Sequence, residues 1–364
     1  MCFFIHLGIL VLISPIRTIL ARDTMHMKRV VLWAFFQVAI AGIGLTQALG
    51  FTTPPDLDTN YATRDWETWS ARVFSNVKTY QFSVKSHETD TYIRYVPTRK
   101  LAIGIGIAYK FILLDVGFGL PVSGEATKNF DFRLSFRLRS HVVELGYWRF
   151  KGFNSHDGFD MQYDFRSDVR NQLFGFNYYH NFDGKKVPLR DQINGTMAQK
   201  KSAGTFGFGG YWYWNQLKAD SSVIPVSLDE FFNEDAQVHF ASQFSLGVIG
   251  GYAYSLVLPR NFFLVAAALP GIGINVGEIR ATSTYSPPLV PNSKINLRAA
   301  LGYMSKKIYV ILSCNGDVRF VNWGNSNRYR YSVGQVKVVV GYRFRSEIGF
   351  LEKVANRLQE VQFH

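Results

Sequence analysis

The chain has 364 residues, of which 47% are hydrophobic and 16% aromatic (Phe 31, Tyr 19, Trp 7), with 31 glycines and a formal charge of +13 from 40 basic and 27 acidic side chains. This is ample for a core in one large or two medium domains, and a mean hydropathy of -0.01 argues against a bundle of membrane-spanning helices. Of the two cysteines, Cys2 and Cys314, the second has no partner if the first is lost with the leader, which leaves no disulfide framework and no cysteine metal site.

In chain order, residues 27–50 read as a signal peptide. Lys28 and Arg29 form its basic start and Val30 to Leu45 its apolar core, with a small-residue cleavage site at Thr46-Gln47-Ala48 or Ala48-Leu49-Gly50. Gln37, Gly42 and Gly44 interrupt the apolar run, which is too short for a membrane span. Met25 and Met27 stand just before it, so residues 1–24 read as an upstream extension; the alternative is that Phe3 to Ile13 is itself a signal core. Removing residues 1–50 takes away four cations and one anion and leaves +10. Residues 51–76, with Trp66 and Trp69 as large anchors, read as a lead segment, and residues 77–345 as the body of the fold.

Strand patterns then follow one another with no convincing helix between them. They fall at about 77–86, 91–96, 101–109, 111–119, 129–138, 141–150, 168–182, 187–195, 203–216, 241–257, 262–275, 294–304, 306–320 and 328–345. The clearest is 129–138, where Phe130, Phe132, Leu134, Phe136 and Leu138 alternate with Asp131, Arg133, Ser135 and Arg137. Successive side chains of a strand point to opposite faces, so this segment has one apolar and one charged face, and it has the length that a tilted strand needs to cross a bilayer. Tight connections are expected at Asp183-Gly184, Pro259-Arg260-Asn261 and Met304-Ser305-Lys306, and long loops at 152–167, 218–240 and 276–293. Long loops of a bacterial barrel should share one end, and the loop at 152–167 breaks that parity, so one strand before residue 203 is wrong or merged and twelve strands fit as well as fourteen. Ile348, Leu351, Val354 and Leu358 recur at three- and four-residue spacing and predict a short C-terminal helix within 346–364.

The expected fold is therefore all-β, an antiparallel transmembrane β-barrel of twelve or fourteen strands. Catalytic motifs are missing: the sequence has no Gly-x-Ser-x-Gly elbow, no His-Glu-x-x-His helix and no Walker loop. Gly271, Gly273 and Gly277 resemble a dinucleotide fingerprint with the wrong final spacing, His87, His141, His156, His180, His239 and His364 stand at no ligand spacing, and the acidic patch Asp229, Glu230, Glu234 and Asp235 matches no calcium loop. No catalytic, cofactor or metal residue is assigned. The candidate lumen residues are Asp131, Arg133, Arg137 and Glu144, with Lys200 and Lys201 near a strand mouth; inward charges of both signs most often form a satisfied ladder, and a selectivity role is the sharper hypothesis. The scattered basic excess argues against nucleic acid and suits outer-membrane lipid, lipopolysaccharide or a plain solvated surface.

Several stretches together carry a family resemblance. They are Asp58-Thr-Asn-Tyr61, Tyr95-Val-Pro97 followed by Leu101-Ala-Ile-Gly-Ile-Gly-Ile-Ala-Tyr-Lys110, Phe150-Lys-Gly-Phe153, Lys201-Ser-Ala-Gly-Thr-Phe206, Ser222-Val-Ile-Pro225, and Gly251-Tyr-Ala-Tyr with Leu269-Pro-Gly-Ile-Gly-Ile-Asn275. In order and spacing they resemble DUF4421, a family of exported proteins of Bacteroidetes. The resemblance implies an outer-membrane or envelope barrel and no known activity, so no functional residue is carried over. The resulting expectation is an outer-membrane barrel, inserted by the barrel-assembly machinery and acting as a narrow channel or an envelope scaffold. The alternatives are an outer-membrane enzyme acting on lipid or glycan, and a soluble secreted β-sandwich that binds sugar or protein.

Overall fold

In the computed structural model the described residues run from 57 to 345, apart from 64–67, 87, 99–100, 110–111, 121–123, 139, 158–161, 282–283, 286–289 and 324–326. The predicted upstream extension, signal peptide and C-terminal helix lie outside them. Among the described residues no helix is long and apolar enough to cross a membrane, which says nothing of strands.

Branched and aromatic residues at alternate positions favour a pleated, half-covered backbone, and strands dominate. In order they are β1 Ala62–Thr63, β2 Trp69–Ser86, β3 Tyr92–Val96, β4 Leu101–Tyr109, β5 Ile112–Gly119, β6 Lys128–Leu138, β7 His141–Asp157, β8 Gln162–Asn181, β9 Ala198–Gln199, β10 Ala203–Lys218, β11 Phe240–Val257, β12 Phe262–Arg280, β13 Thr284–Tyr285, β14 Val290–Met304, β15 Ile308–Trp323 and β16 Asn327–Phe344. β1 pairs with β9, and the other fourteen share one antiparallel sheet. Within that sheet β16 pairs with β2 along their whole length, from Asn327 opposite Ser86 to Phe344 opposite Trp69, and closes a ring. The ring runs β2, β3, β7, β8, β10, β11, β12, β14, β15, β16 and has ten strands, not the expected twelve or fourteen. The other four lie off it: β4 and β5 flank the lower part of β2, β6 flanks β7, and β13 caps β12.

The predicted strand 187–195 is the one that breaks the parity. In its place stand a turn and the short helix α1 Leu189–Ile193. Pro188 lacks an amide hydrogen for a ladder, and Leu189 and Ile193 are four residues apart, which places them on one helical face. Asp183-Gly184 is no hairpin either; it turns the chain from β8 toward α1. The predicted loop at 152–167 is mostly strand, since β7 runs to Asp157 and β8 starts at Gln162, and the one at 276–293 shrinks as β12 extends to Arg280. The loop 219–239 is confirmed. With these changes the turns at Pro259–Asn261 and 305–307 share one end with Trp69 and Phe344, called here the terminal end. The loop 219–239 lies at the other, the loop end.

Strands of up to 20 residues are about twice what a bilayer needs, and their outer faces divide accordingly. On β8 the outward sequence is Arg170 and Gln172, then Phe174, Phe176, Tyr178, His180 and Phe182. On β16 it is Arg328, Arg330 and Ser332, then Val336, Val338, Val340 and Tyr342; β10 changes from Lys218 and Gln216 to Trp214, Trp212, Phe208 and Phe206. The change falls at a matching level on β7, between Arg149 and Tyr147, and on β12, between Glu278 and Val276. Below that level large apolar side chains stand in the open, with Ile272 at 69% and Phe206 at 64% exposed. Transmembrane barrels carry an outward apolar band about 25 Å tall flanked by aromatic girdles, and this outer surface has the same pattern. Tyr252, Tyr254, Phe262, Tyr303, Tyr342 and Phe344 form the edge at the terminal end.

Candidate functional site

The inward face of the same strands is the candidate site, and side chains fill it. Tyr80, Tyr211, Tyr213, Tyr329 and Tyr331 are fully buried, and their hydroxyls find polar partners, as buried phenols must. Tyr80 donates to Asn171 Oδ1 at 2.5 Å, and Tyr211 donates to Asn292 Oδ1 at 2.6 Å. Asn171 Nδ2 donates to the Tyr329 hydroxyl at 3.2 Å.

Charges sit inside this network. Lys294 Nζ lies 3.0 Å from Asp317 Oδ2 with its side chain fully buried, and it donates to Asn177 Oδ1 at 2.8 Å. Arg319 shares the same carboxylate, Nε to Oδ1 at 3.1 Å, and its guanidinium stacks 3.2 Å from the centre of the Tyr213 ring. Arg298 bonds Glu144 at 2.8 Å and Asn296 at 2.9 Å. A buried charge is tolerated when it is paired, and rings facing the cations add to that.

Both ends are covered. At the terminal end, the stretch 182–202 turns into the lumen. Leu189, Ile193 and Ala198 pack on the inward residues Phe263, Val265, Tyr309 and Val339, and Gln192 is buried, accepting from Ser255 at 2.8 Å. Arg72 and Arg343 donate to the carbonyls of Asn194 and Gly195 at 2.9 and 2.7 Å, so arginines on the wall tie down the turn that follows the helix. Gly195 has a φ of +74, and the ring of Tyr309 fills the space where its Cβ would stand, so glycine is required there twice over. A cavity of about 40 Å³ remains beside α1, between Leu189, Tyr179 and Arg298.

At the loop end, Val223, Ile224, Leu228, Ala236 and Val238 of the loop 219–239 are buried against Phe82, Tyr95, Ile279, Val321 and Tyr329. The Tyr95 hydroxyl donates to the Val223 carbonyl at 2.5 Å, and Phe82 stacks on Tyr95 at 4.6 Å. On the outer side, above the apolar band, Arg166 grips Asp168 through two 2.8 Å bonds and donates to Ser221 and Ser222, while Asp168 accepts from the Asp220 amide at 3.0 Å. The Arg166 guanidinium holds the Asp168 carboxyl down to about 2, so the fork stays charged through mildly acidic pH.

The residues singled out from the sequence fall into different places. Glu144 joins Arg298, as above. Asp131 lies 3.1 Å from Lys78 Nζ and is gripped by Arg133, which also donates to Gln335 at 3.2 Å. Arg137 takes the register position opposite Val142. Lys200 and Lys201 are exposed at the terminal rim; Lys200 donates to the Thr59 carbonyl at 2.9 Å, and Lys201 stands 5.9 Å from the Tyr61 ring, so both serve the pairing of β1 with β9 and leave the lumen to others. Reasoning from sequence missed Lys294, Arg298, Asp317 and Arg319, although each is a lone charge at an inward position of a predicted strand, the same signal that marks Asp131 and Arg133. Among the described residues no three His, Cys, Asp or Glu side chains converge to hold a metal ion.

A closed, polar-cored barrel of this kind can be compared with known proteins. The model of a domain of unknown function, DUF4421, matches residues 56–344. The chain belongs to the DUF4421 family. No curated protein matches it in sequence. Among solved structures, the outer-membrane protease OmpT of Escherichia coli is 9% identical, covering 78% of this chain and 98% of that one, at a TM-score of 0.34. The outer-membrane protein OmpT of Vibrio cholerae is 9% identical over 78% and 98% with a TM-score of 0.27, and the toluene transporter TodX of Pseudomonas putida 8% identical over 77% and 91% with 0.20. Likenesses this distant carry no argument; the barrel of this DUF4421 protein rests on its own strand pairing.

Proposed function

We propose that this DUF4421 protein is an integral outer-membrane barrel that serves the envelope as a scaffold, with no open path along its axis. The observation that carries the proposal is the lumen itself, filled by buried tyrosines and paired charges and covered at both ends. The other half of the sequence-based expectation, a narrow channel, would need a continuous wet path, and the packing favours a closed body. The scaffold reading has the apolar band in contact with outer-membrane lipid and lipopolysaccharide, insertion by the barrel-assembly machinery, and the polar upper half with loop 219–239 projecting from the surface. A soluble sandwich is disfavoured because it would not expose Ile105, Phe118, Phe206 and Ile272 together.

The test is reconstitution. The purified protein should migrate faster on gels before boiling than after, and planar bilayers containing it should stay at baseline conductance; steady unitary currents would return the channel reading. The free thiol of Cys314, exposed on the outer face of β15 opposite Ala299 and Val336 within the band, offers a second check. In liposomes it should react many-fold faster with an apolar maleimide than with a charged one, and the difference should vanish after boiling in detergent. Equal rates in liposomes would move the band elsewhere.

A further inference from the structure

β5 rises from the terminal end and β6 descends to it in the wall of the barrel, and among the described residues each is paired on one side: β5 with β4, β6 with β7. Among the described residues no ladder hydrogen bond joins them, so the lower wall has a seam that the ten-stranded ring closes only nearer the loop end, through β3. The outer lips of the seam are apolar. Ile103, Ile105, Val116 and Phe118 stand exposed on one side, and on the other Phe130 is exposed opposite Arg149, at the top of the band, with Phe132 opposite Tyr147 below it.

Behind the lips the lining is charged. Arg72 and Lys337 grip Asp115 of β5 at 2.6 and 2.5 Å, and Lys78 and Arg133 meet at Asp131 of β6. Four cations face two carboxylates. The Lys78 and Arg133 side chains keep 35% and 29% of their surface open, whereas Asp131 is 5% open, so cationic surface is what the slot offers. Lys78 is in register with Gln335, near the upper edge of the apolar band, the depth of lipid headgroups. Glycines keep the inner wall low here: a side chain at Gly104 would run into Phe74, and Gly117 lies open beside it.

We infer that the β5/β6 seam is a lateral binding slot for an anionic, phosphate-bearing amphiphile of the surrounding bilayer, with its headgroup on Lys78 and Arg133 and its chains running toward the terminal end along Val116 and Phe118. A phosphate suits a guanidinium beside an ammonium, and apolar lips at membrane depth admit acyl chains. The inference rests on the membrane reading above.

The experiment uses the full chain in liposomes that carry diazirine-acyl phosphatidylglycerol or diazirine-acyl phosphatidylcholine as the probe. Photolabelled peptides are mapped by mass spectrometry. Labels should concentrate on 101–119 and 128–133, several-fold more with the glycerol headgroup than with choline, and K78Q/R133Q should abolish that preference while R133K retains it. The gel mobility shift and flotation of each variant with the liposomes report separately whether the barrel is formed and inserted. Labels spread evenly around the band, or equal labelling by the two headgroups, would overturn the slot in a protein that floats. Label confined to the seam but unchanged in K78Q/R133Q would overturn the headgroup site. A protein that does not float would overturn the membrane reading first, and capture of a second polypeptide at β5 or β6 would make the seam a strand-pairing edge instead.

Discussion

Replacing Leu246 with arginine is expected to stop the barrel from forming stably in a bilayer, while arginine at Ser242, two outward positions nearer the loop end, is tolerated. Leu246 is 51% exposed inside the apolar band, flanked outward by Phe244 and Val248 and in register with Trp212 and Ile274. A guanidinium placed there loses water and gains no partner, at a cost of about 2–4 kcal/mol near the midplane that falls toward zero at the interface. Ser242 pairs across to Glu278, above the change from apolar to polar, where arginine meets a carboxylate. The comparison is the urea midpoint of each variant refolded in lipid vesicles, with the mobility shift as the sign of assembly. If both arginines cost the same, the apolar face is a protein interface or buried sheet face and the band has been misread.

The interior is expected to be as sensitive as the surface. Asp317→Asn should destabilise the folded barrel by about 3–5 kcal/mol, because two cations lose their shared counter-charge in a place they cannot leave. The Lys294 side chain is fully buried and that of Arg319 4% exposed, and a guanidinium cannot shed its proton to escape. Glu144→Gln should cost less, since Glu144 and Arg298 keep 21% and 16% of their side chains in contact with solvent. Midpoints of urea unfolding in detergent, measured on both variants beside the parent, decide this. An unchanged midpoint for Asp317→Asn would mean that water or an ion reaches Lys294 and Arg319, and the closed lumen would be wrong.

Where the fold was legible in advance, the reason was local. The alternation in 129–138 needs no partner to be read, and β6 occupies Lys128–Leu138 with Phe130 outward and Asp131 inward. The strand expected at 328–345 is likewise realised, as β16 at Asn327–Phe344. The misreadings came from information that is not local. Val187, Leu189, Asp191 and Ile193 alternate like a strand, yet Pro188 and Gly195 bound a piece too short to span the wall, and the space inside the ring decides that it coils. The ring has ten strands because β3 reaches both β2 and β7 near the loop end, a pairing between residues more than 50 apart that no window of sequence contains. The candidate site divides the same way. Asp131 and Arg133 declare themselves by alternation, whereas Lys294, Asp317 and Arg319 gain their meaning only when β14 and β15 bring them onto the rings of Tyr211 and Tyr213.

The joining of β2 to β16 also governs when this protein can finish folding. The first and last strands of the ring lie about 250 residues apart, so the final ladder cannot zip until nearly the whole chain has been delivered. The stretch 182–202 is encoded midway, between β8 and β10, and is delivered well before that ladder can shut. Bringing such distant segments together costs loop entropy before any contact rewards it, and assembly dominated by remote pairings is slow. Closure of the ring is therefore a late step, which waits for β16 to meet a strand delivered at the start.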